Sequence, residues 1–362
     1  MASMSSAHGP KLRSRKHGAA IPLDELDKRL LNLMQGSFPI ATRPYQHVAA
    51  EAGIAEEDVI DRVQRLLEQR IIRQVTPIFD TRALGYSSML VAAKVDPDNP
   101  WRAAKVINEH PGVSHNYLRN HDFNIWFTIA TEPDSPLGLE RTLEVLAEIA
   151  GADSIRQLPT LKLFKIRMDL EMEGGTDALA KAVEVAPPAE TERQPYDEQD
   201  IAVIRALQGD LPVIPEPFAP AAEQLGMAQD ELLDHLERMQ ERRLLRRVAA
   251  ILFHRRAGFS ANGMGVWKVP DERIMELGPQ MAAYRGISHC YQRPTYKDWP
   301  YSIFTMAHGR SKDECDAILD SIADSTGIDE RSTLYSSTEF KKIRLLYFTE
   351  DYRDWERKHA GV

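Results

Sequence analysis

His115, Tyr117 and Arg119 stand at alternate positions of Gly112-Val-Ser-His-Asn-Tyr-Leu-Arg119, and the same types return as His289, Tyr291 and Arg293 in Gly286-Ile-Ser-His-Cys-Tyr-Gln-Arg293. An imidazole can move a proton near neutrality or ligate iron. A guanidinium matches a carboxylate with two parallel hydrogen bonds, and an aromatic ring can stack on a flat macrocycle. The alternation of apolar and polar residues reads as a β-strand, with Val113, His115, Tyr117 and Arg119 on one face. Such groups are costly to bury without partners. A strand that carries them twice points to a site for something anionic.

Other residues fall beside these in the chain. Asn124, Trp126 and Thr128 share one side of the following strand, with His121 in the turn before it. The second copy offers Lys297 and Trp299 before its third strand and His308-Gly309-Arg310 after it. Together they suit a large planar ligand bearing several carboxylates. Plainer roles compete for some of them: core packing for Trp126, Tyr117 and Tyr291, a solvated turn for His121, a strand end for His308. Cys290 points away from His289 and is expected to be buried and inert, while His110 and His17 are expected at the surface.

The elements that must position these residues are also duplicated. Asp24-Glu25-x-Asp27 returns as Asp197-Glu198-x-Asp200 at an offset of 173, which also maps Gly36 on Gly209, Gly53 on Gly226 and Arg73 on Arg246. One inserted residue near Ile251 moves the offset to 174 for the central strand. Each copy opens with three helices: Leu26–Met34, Tyr45–Ala52 and Glu56–Arg70, then Asp200–Leu207, Ala219–Leu225 and Gln229–Arg242. A glycine turn follows the second helix and an apolar strand the third, as in a winged helix-turn-helix.

The pattern then becomes β-α-β-β-α-β in both copies, the order of a ferredoxin-like sandwich with its helices on one sheet face. The fold class is thus α+β, a tandem repeat. The expected divisions are a disordered basic tail (1–22), a first helix-turn-helix domain (23–82) and a first ferredoxin-like domain (83–170). A Glu-, Ala- and Pro-rich linker (171–195), a second helix-turn-helix domain (196–257), a second ferredoxin-like domain (258–350) and a C-terminal tail (351–362) complete the chain.

Composition narrows the classes. The 362 residues are 43% apolar and 27% charged, enough for several cored domains. The sequence contains no apolar run of the roughly 18–20 residues that cross a bilayer, so no membrane partner is expected. Two cysteines outside any C-x-x-C argue against a thiolate metal site and for a reducing cytoplasm. A net charge of −9 argues against a broad phosphate-binding surface. The putting-forward of carboxylates by both third helices, Glu56-Glu57-Asp58 and Gln229-Asp230-Glu231, argues against DNA as well. Arg62, Arg65, Arg242 and Arg243 fit solvated helix faces, and the first two could offset some of that repulsion.

A helix-turn-helix followed by a ferredoxin-like domain resembles the Lrp/AsnC regulators. The longer strings are more specific. His115-Asn-Tyr-Leu-Arg119 with His121-Asp-Phe-Asn-Ile-Trp-Phe127 looks like one subunit type of the sirohaem decarboxylases. Ser288-His-Cys-Tyr-x-Arg293, Asp298-Trp-Pro-Tyr301 and His308-Gly-Arg310 are similar to the other type. The resemblance runs from Leu23 to Phe348 and is that of a natural fusion of the two. It implies removal of the C12 and C18 acetate carboxyls of sirohaem to give 12,18-didecarboxysirohaem, in haem d1 or alternative haem synthesis. No cofactor is implied, since the substrate carries the iron.

On this reading His115 and His289 are catalytic, each either a proton donor or the iron's axial ligand. Arg119, Arg293 and Arg310 hold carboxylates, with Tyr117, Tyr291, His121, Trp126 and His308 as further contacts. Sirohaem and its products are the partners, the two copies form an internal pseudo-dimer that could associate further, and DNA is not one. An Lrp/AsnC-type regulator or a non-catalytic tetrapyrrole binder are the competing readings.

Overall fold

A computed structural model of the chain describes residues 23–166, 192–253 and 261–361. The basic tail, most of the linker and the start of the second ferredoxin-like domain lie outside the described residues. Each copy begins with three helices, α1 (Glu25–Gly36), α2 (Pro44–Ala52) and α3 (Glu56–Glu68) in the first. Asp24 caps α1 and exchanges hydrogen bonds with Asp27, a capping box. Gly53 takes the left-handed conformation (φ 73°) that turns the chain from α2 towards α3. Strand β1 (Ile72–Phe79) follows, then β2 (Ser87–Lys94), α4 (Pro100–Glu109), β3 (Val113–Arg119), β4 (Ile125–Thr131), α5 (Gly138–Ala150), β5 (Ser154–Leu158) and β6 (Lys162–Ile166).

The second copy repeats this with α6 (Glu198–Leu207), α7 (Ala219–Leu225), α8 (Gln229–Glu241), β7 (Leu245–Leu252) and β8 (Ala261–Trp267). A 3-10 turn then leads into α9 (Ile274–Ala282), β9 (Ile287–Gln292), β10 (Ile303–Gly309), α10 (Lys312–Thr326) and β11 (Arg331–Lys342). The stretch read as a C-terminal tail contains a helix, α11 (Glu350–Ala360). Tyr352 and Trp355 are buried, and Trp355 packs into the first copy's core against His110. His110, expected at the surface, is therefore buried.

The two ferredoxin-like units do not merely pack sheet on sheet. They form one nine-stranded sheet in the order β5-β2-β4-β3-β11-β8-β10-β9-β6. The link between the copies is the last strand of each. Residues 331–335 of β11 pair with β8 of their own copy, and residues 336–342 pair with β3 of the other. The first copy's last strand, expected as one element, breaks at Pro159. Its first half pairs with β2 and its second half with β9 of the other copy. The two edges of the sheet are thus halves of one bent strand, and the sheet curls round an interior.

Helices α4 and α5 cover one outer face and α9 and α10 the other, each with its own core. A third core lies inside the curl, built from Phe123, Trp126, Trp299, Phe304 and the crossing-point residues Leu158 and Leu334. The two helical triads share a single core, joined by the antiparallel pair β1–β7.

Gly112 opens β3 where its Cα lies against β4. A Cβ there would sit 1.8 Å from the carbonyl oxygen of Ala130, a backbone atom that cannot yield. Gly112→Ala is expected to destabilise the fold by about 3 kcal/mol or more, the scale of severe overpacking. Gly36→Ala, where a Cβ meets nothing within 4 Å, serves as control. Thermal unfolding measures both, and equal melting temperatures would contradict the packing argument.

Candidate active site

Strict alternation would put Val113 beside His115. The β3–β4 ladder instead shifts register between those two residues, and β10 does the same opposite β9, between Met306 and Ala307. Such a bulge re-aims neighbouring side chains. Val113 and Ile287 turn into the helix-side cores, while Ser114 and His115 both line the interior. In the second copy Ser288 is held directly behind His289. The expectation that Val113 shares the face of His115 is corrected by this bulge.

The interior holds a cavity of about 790 Å³, lined by both copies. That is within the range of small-molecule sites, roughly 300–1,000 Å³. His115, Tyr117, Arg119 and Trp126 enter it from one side, and His289, Tyr291, Arg293 and His308 from the other. Two of the predicted contacts lie elsewhere. His121 folds back in its turn, accepting from the Phe123 N–H at 3.0 Å with its ring edge-on to Trp299. Arg310 is exposed beside Glu314. Trp126 forms part of the cavity wall but is a fully buried core residue, its Nε1 donating to the Phe123 carbonyl at 2.7 Å.

The two histidines differ in their surroundings. His115 Nδ1 is 3.0 Å from Ser114 Oγ, which lies 2.9 Å from Thr128 Oγ1. Burial, with smaller contributions from the charges of Lys342 and Arg73, pulls the His115 pKa down to about 4. At neutral pH it is therefore an uncharged imidazole with a lone pair to offer. His289 Nδ1 is 2.6 Å from Ser288 Oγ, and that hydroxyl is also 2.7 Å from His308 Nε2. Cys290 is buried on the opposite face, and burial pushes its thiol well above the usual range.

The arginines do two things. Arg119 Nη1 donates to the Leu334 carbonyl at 2.8 Å, and Arg293 Nη1 donates to the Leu158 carbonyl. Each thus grips the other copy's last strand where it crosses. Arg119 also lies over the rings of Tyr117 and Trp126, and Arg293 over Tyr291 and Phe304, at 4.8–5.8 Å. Burial lowers both pKa values to about 10, and the Nε of each is buried with no acceptor among the described residues. An orphan donor on a buried cation is expensive. A carboxylate brought by a ligand would be a fitting acceptor.

Sequence reasoning missed the mouth. Arg82, Arg246 and Arg344 line it, with Asp80 as its one lining carboxylate among the described residues. Arg246 Nε lies 3.5 Å from Asp80, and Arg344 is held by Thr76 and the Pro77 carbonyl. Arg246 comes from β7 and had shown itself only as the repeat mate of Arg73, whose charge acts on His115. Repetition of a basic residue in a wing strand, and of Ser114 as Ser288, was the available signal.

The helix-turn-helix units use several of their cations internally. Arg62 and Arg65 pair with buried Asp27, and Arg242 and His235 with buried Asp200. Arg62, Arg65 and Arg242 stay part-exposed on their helix faces while making these ion pairs. Gln64 of α3 donates to the Val213 carbonyl, and Gln229 of α8 to that of Thr42, so each third helix touches the opposite copy.

Two family models match the chain, each twice: an AsnC-like ligand binding domain at residues 83–165 and 256–341, and a siroheme decarboxylase NirDL-like HTH domain at residues 27–73 and 200–246. A siroheme decarboxylase of Hydrogenobacter thermophilus is 38% identical over 92% of this chain and 97% of its own. A crystal structure of the siroheme decarboxylase NirDL matches at a TM-score of 0.76 and 33% identity, over 93% of this chain and 99% of that one. A second, in co-complex with an iron-uroporphyrin III analogue, matches at 0.75 and 32% over the same shares.

The depressed His115 pKa has a measurable consequence. By nuclear magnetic resonance the ring of the ligand-free protein should titrate near pH 4, against an ordinary value of about 6.5. Between those values the unfolded chain binds more protons than the native one. This contribution to stability is therefore full above about pH 6.5 and is lost as pH falls towards 4. His115→Gln should flatten that share of the acid dependence. Titration near 6.5, with an unchanged acid slope in the variant, would overturn the assignment.

Proposed function

Since this chain belongs to the sirohaem decarboxylase family, we propose that it removes the C12 and C18 acetate carboxyls of sirohaem without oxidation, yielding 12,18-didecarboxysirohaem for haem d1 or the alternative haem route. The observation that carries this is a single cavity receiving a His-Tyr-Arg set from each copy, with an excess of arginines at its walls and mouth. A macrocycle with acetates on different rings can then meet both sets at once. The related complex with an iron-uroporphyrin III analogue supports a tetrapyrrole of that class as the occupant.

In the reaction the bond from the acetate methylene to its carboxyl carbon breaks, carbon dioxide leaves, and the electron pair is delocalised into the substrate's conjugated ring. The methylene carbon then takes a proton to become methyl. His289, hydrogen-bonded into a polar chain, is suited to supply it. Neutral His115 is suited to the substrate iron. Arg119 and Arg293 supply donors to the remaining carboxylates through groups that the fold leaves unsatisfied, with Arg82, Arg246 and Arg344 steering them at the mouth. His308, Tyr117, Tyr291 and Trp126 shape the walls.

A regulator role is disfavoured. Arg62 and Arg65 of α3 are committed to Asp27, and Arg242 at the end of α8 to Asp200, while carboxylates remain at the helix starts. Duplex DNA should show no salt-dependent binding in a mobility-shift titration, and a clear salt slope would revive that reading. The copies are held as an internal pseudo-dimer by their exchanged strands. Two free, buried cysteines fit the cytoplasm, and no helix among the described residues is long and apolar enough to cross a membrane.

Anaerobic incubation with sirohaem and mass spectrometry of the tetrapyrrole test the proposal. Loss of two carbon dioxide units is expected, and tight binding with no mass change would favour the non-catalytic binder. His289→Ala should slow turnover by about 10²–10⁴-fold. Undiminished turnover in that variant would remove His289 from the chemistry.

A further inference from the structure

The duplication is not faithful at one point of the cavity. The backbone N–H of His308 donates to the Gly286 carbonyl at 2.9 Å, and that of Ala130 donates to the Gly112 carbonyl at 3.0 Å. These equivalent bonds identify Ala130 and His308 as structural counterparts on β4 and β10. The residue two positions before each differs too. Thr128 lies opposite His115, and Met306 lies opposite His289. In the first copy the hydroxyl behind the histidine therefore meets another hydroxyl, Thr128 Oγ1. In the second it meets a second imidazole.

A serine hydroxyl between two imidazoles has one proton to give and lone pairs to receive another. At 2.6 and 2.7 Å, Ser288 Oγ can accept from His308 Nε2 and donate to His289 Nδ1. The His289 nitrogen that Ser288 does not engage is Nε2, on a ring that lines the cavity. The geometry points to a proton relay, His308 to Ser288 to His289, that serves the acetate lying against the second copy and has no counterpart in the first. This rests on the decarboxylase reading and specifies where one of its protons enters.

The step balances. Carbon dioxide departs, leaving its bonding pair on the methylene carbon and ring. The Nε2 proton of His289 passes to that carbon, Ser288 passes its proton to His289 Nδ1, and protonated His308 passes its Nε2 proton to Ser288. His308 ends neutral and is recharged from water. One proton is consumed per carboxyl, with no oxidant or reductant. Ser288 and His308 are positioning residues that act through His289.

The relay makes the two carboxyl losses separable. In an anaerobic single-turnover assay with sirohaem, followed by mass spectrometry, wild type should lose both. His308→Ala, which installs the residue the first copy already carries, and Ser288→Ala should each slow one loss on the order of 10²-fold. The singly decarboxylated tetrapyrrole should accumulate at nearly unchanged KM. Ser288→Thr, which keeps the hydroxyl, should restore most of the rate. Equal slowing of both losses with a raised KM would mark a structural role and overturn the relay. So would a Ser288→Thr enzyme as slow as Ser288→Ala, or no effect in any variant. Wild-type protein that binds sirohaem and releases no carbon dioxide would instead remove the decarboxylase reading itself.

Discussion

The exchange of terminal strands, each gripped by an arginine of the other copy, is the constraint on which the rest depends. Arg119 bonds the carbonyl of Leu334 and Arg293 that of Leu158, both at the points where the strands leave their own copy. The halves cannot part without opening the β3–β11 and β6–β9 ladders and stranding two buried cations. Breaking such contacts one partner at a time is costly, because the group left behind stays desolvated. The cavity is therefore a property of the pair of copies, since neither alone encloses it. The same guanidiniums that hold the crossing also face the site, so the stability of the pseudo-dimer and the polarity of its pocket are set by the same two side chains.

A handful of charges organises the two helix-turn-helix units. The capping-box aspartates Asp27 and Asp200 are buried and draw Arg62, Arg65 and Arg242 inward. That leaves the third helices acidic at their starts and tied at their flanks to the opposite copy. The triads then act as a roof. Their wing strands pair over the curled sheet, and β7 brings Arg246 to the mouth.

The parts of this structure that were legible in sequence are those that repeat or follow a single period. The duplicated His-Tyr-Arg strand, the helical triads with Gly53 and Gly226 and the β-α-β-β-α-β order all obey local rules. What was hidden depends on registers between strands. The bulges that bring Ser114 beside His115 leave no local mark, because a bulge is a mismatch between two strands rather than a pattern in one. The bonds from Arg119 and Arg293 to the other copy's carbonyls are equally non-local, so both looked like unattached ligand clamps. The Pro159 break reads in hindsight as an obstacle to a central ladder. Helix α11 was hidden by its strongly polar sequence, which conceals the two aromatic residues, Tyr352 and Trp355, that dock it.

The charge distribution explains how an acidic chain can receive an acidic substrate. Net charge is −9 overall, yet the cavity and mouth present Arg82, Arg119, Arg246, Arg293 and Arg344 against Asp80. Surface carboxylates are screened by water and salt over roughly 10 Å, whereas charges within a narrow, weakly polar enclosure are screened much less. Folding has already met the cost of desolvating Arg119 and Arg293, shown in pKa values drawn down to about 10. Their dipoles and charges need little reorganisation when a carboxylate arrives, which is the condition under which electrostatic groups act most strongly. The same burial keeps His115 uncharged, which is the state its proposed role towards the substrate iron requires.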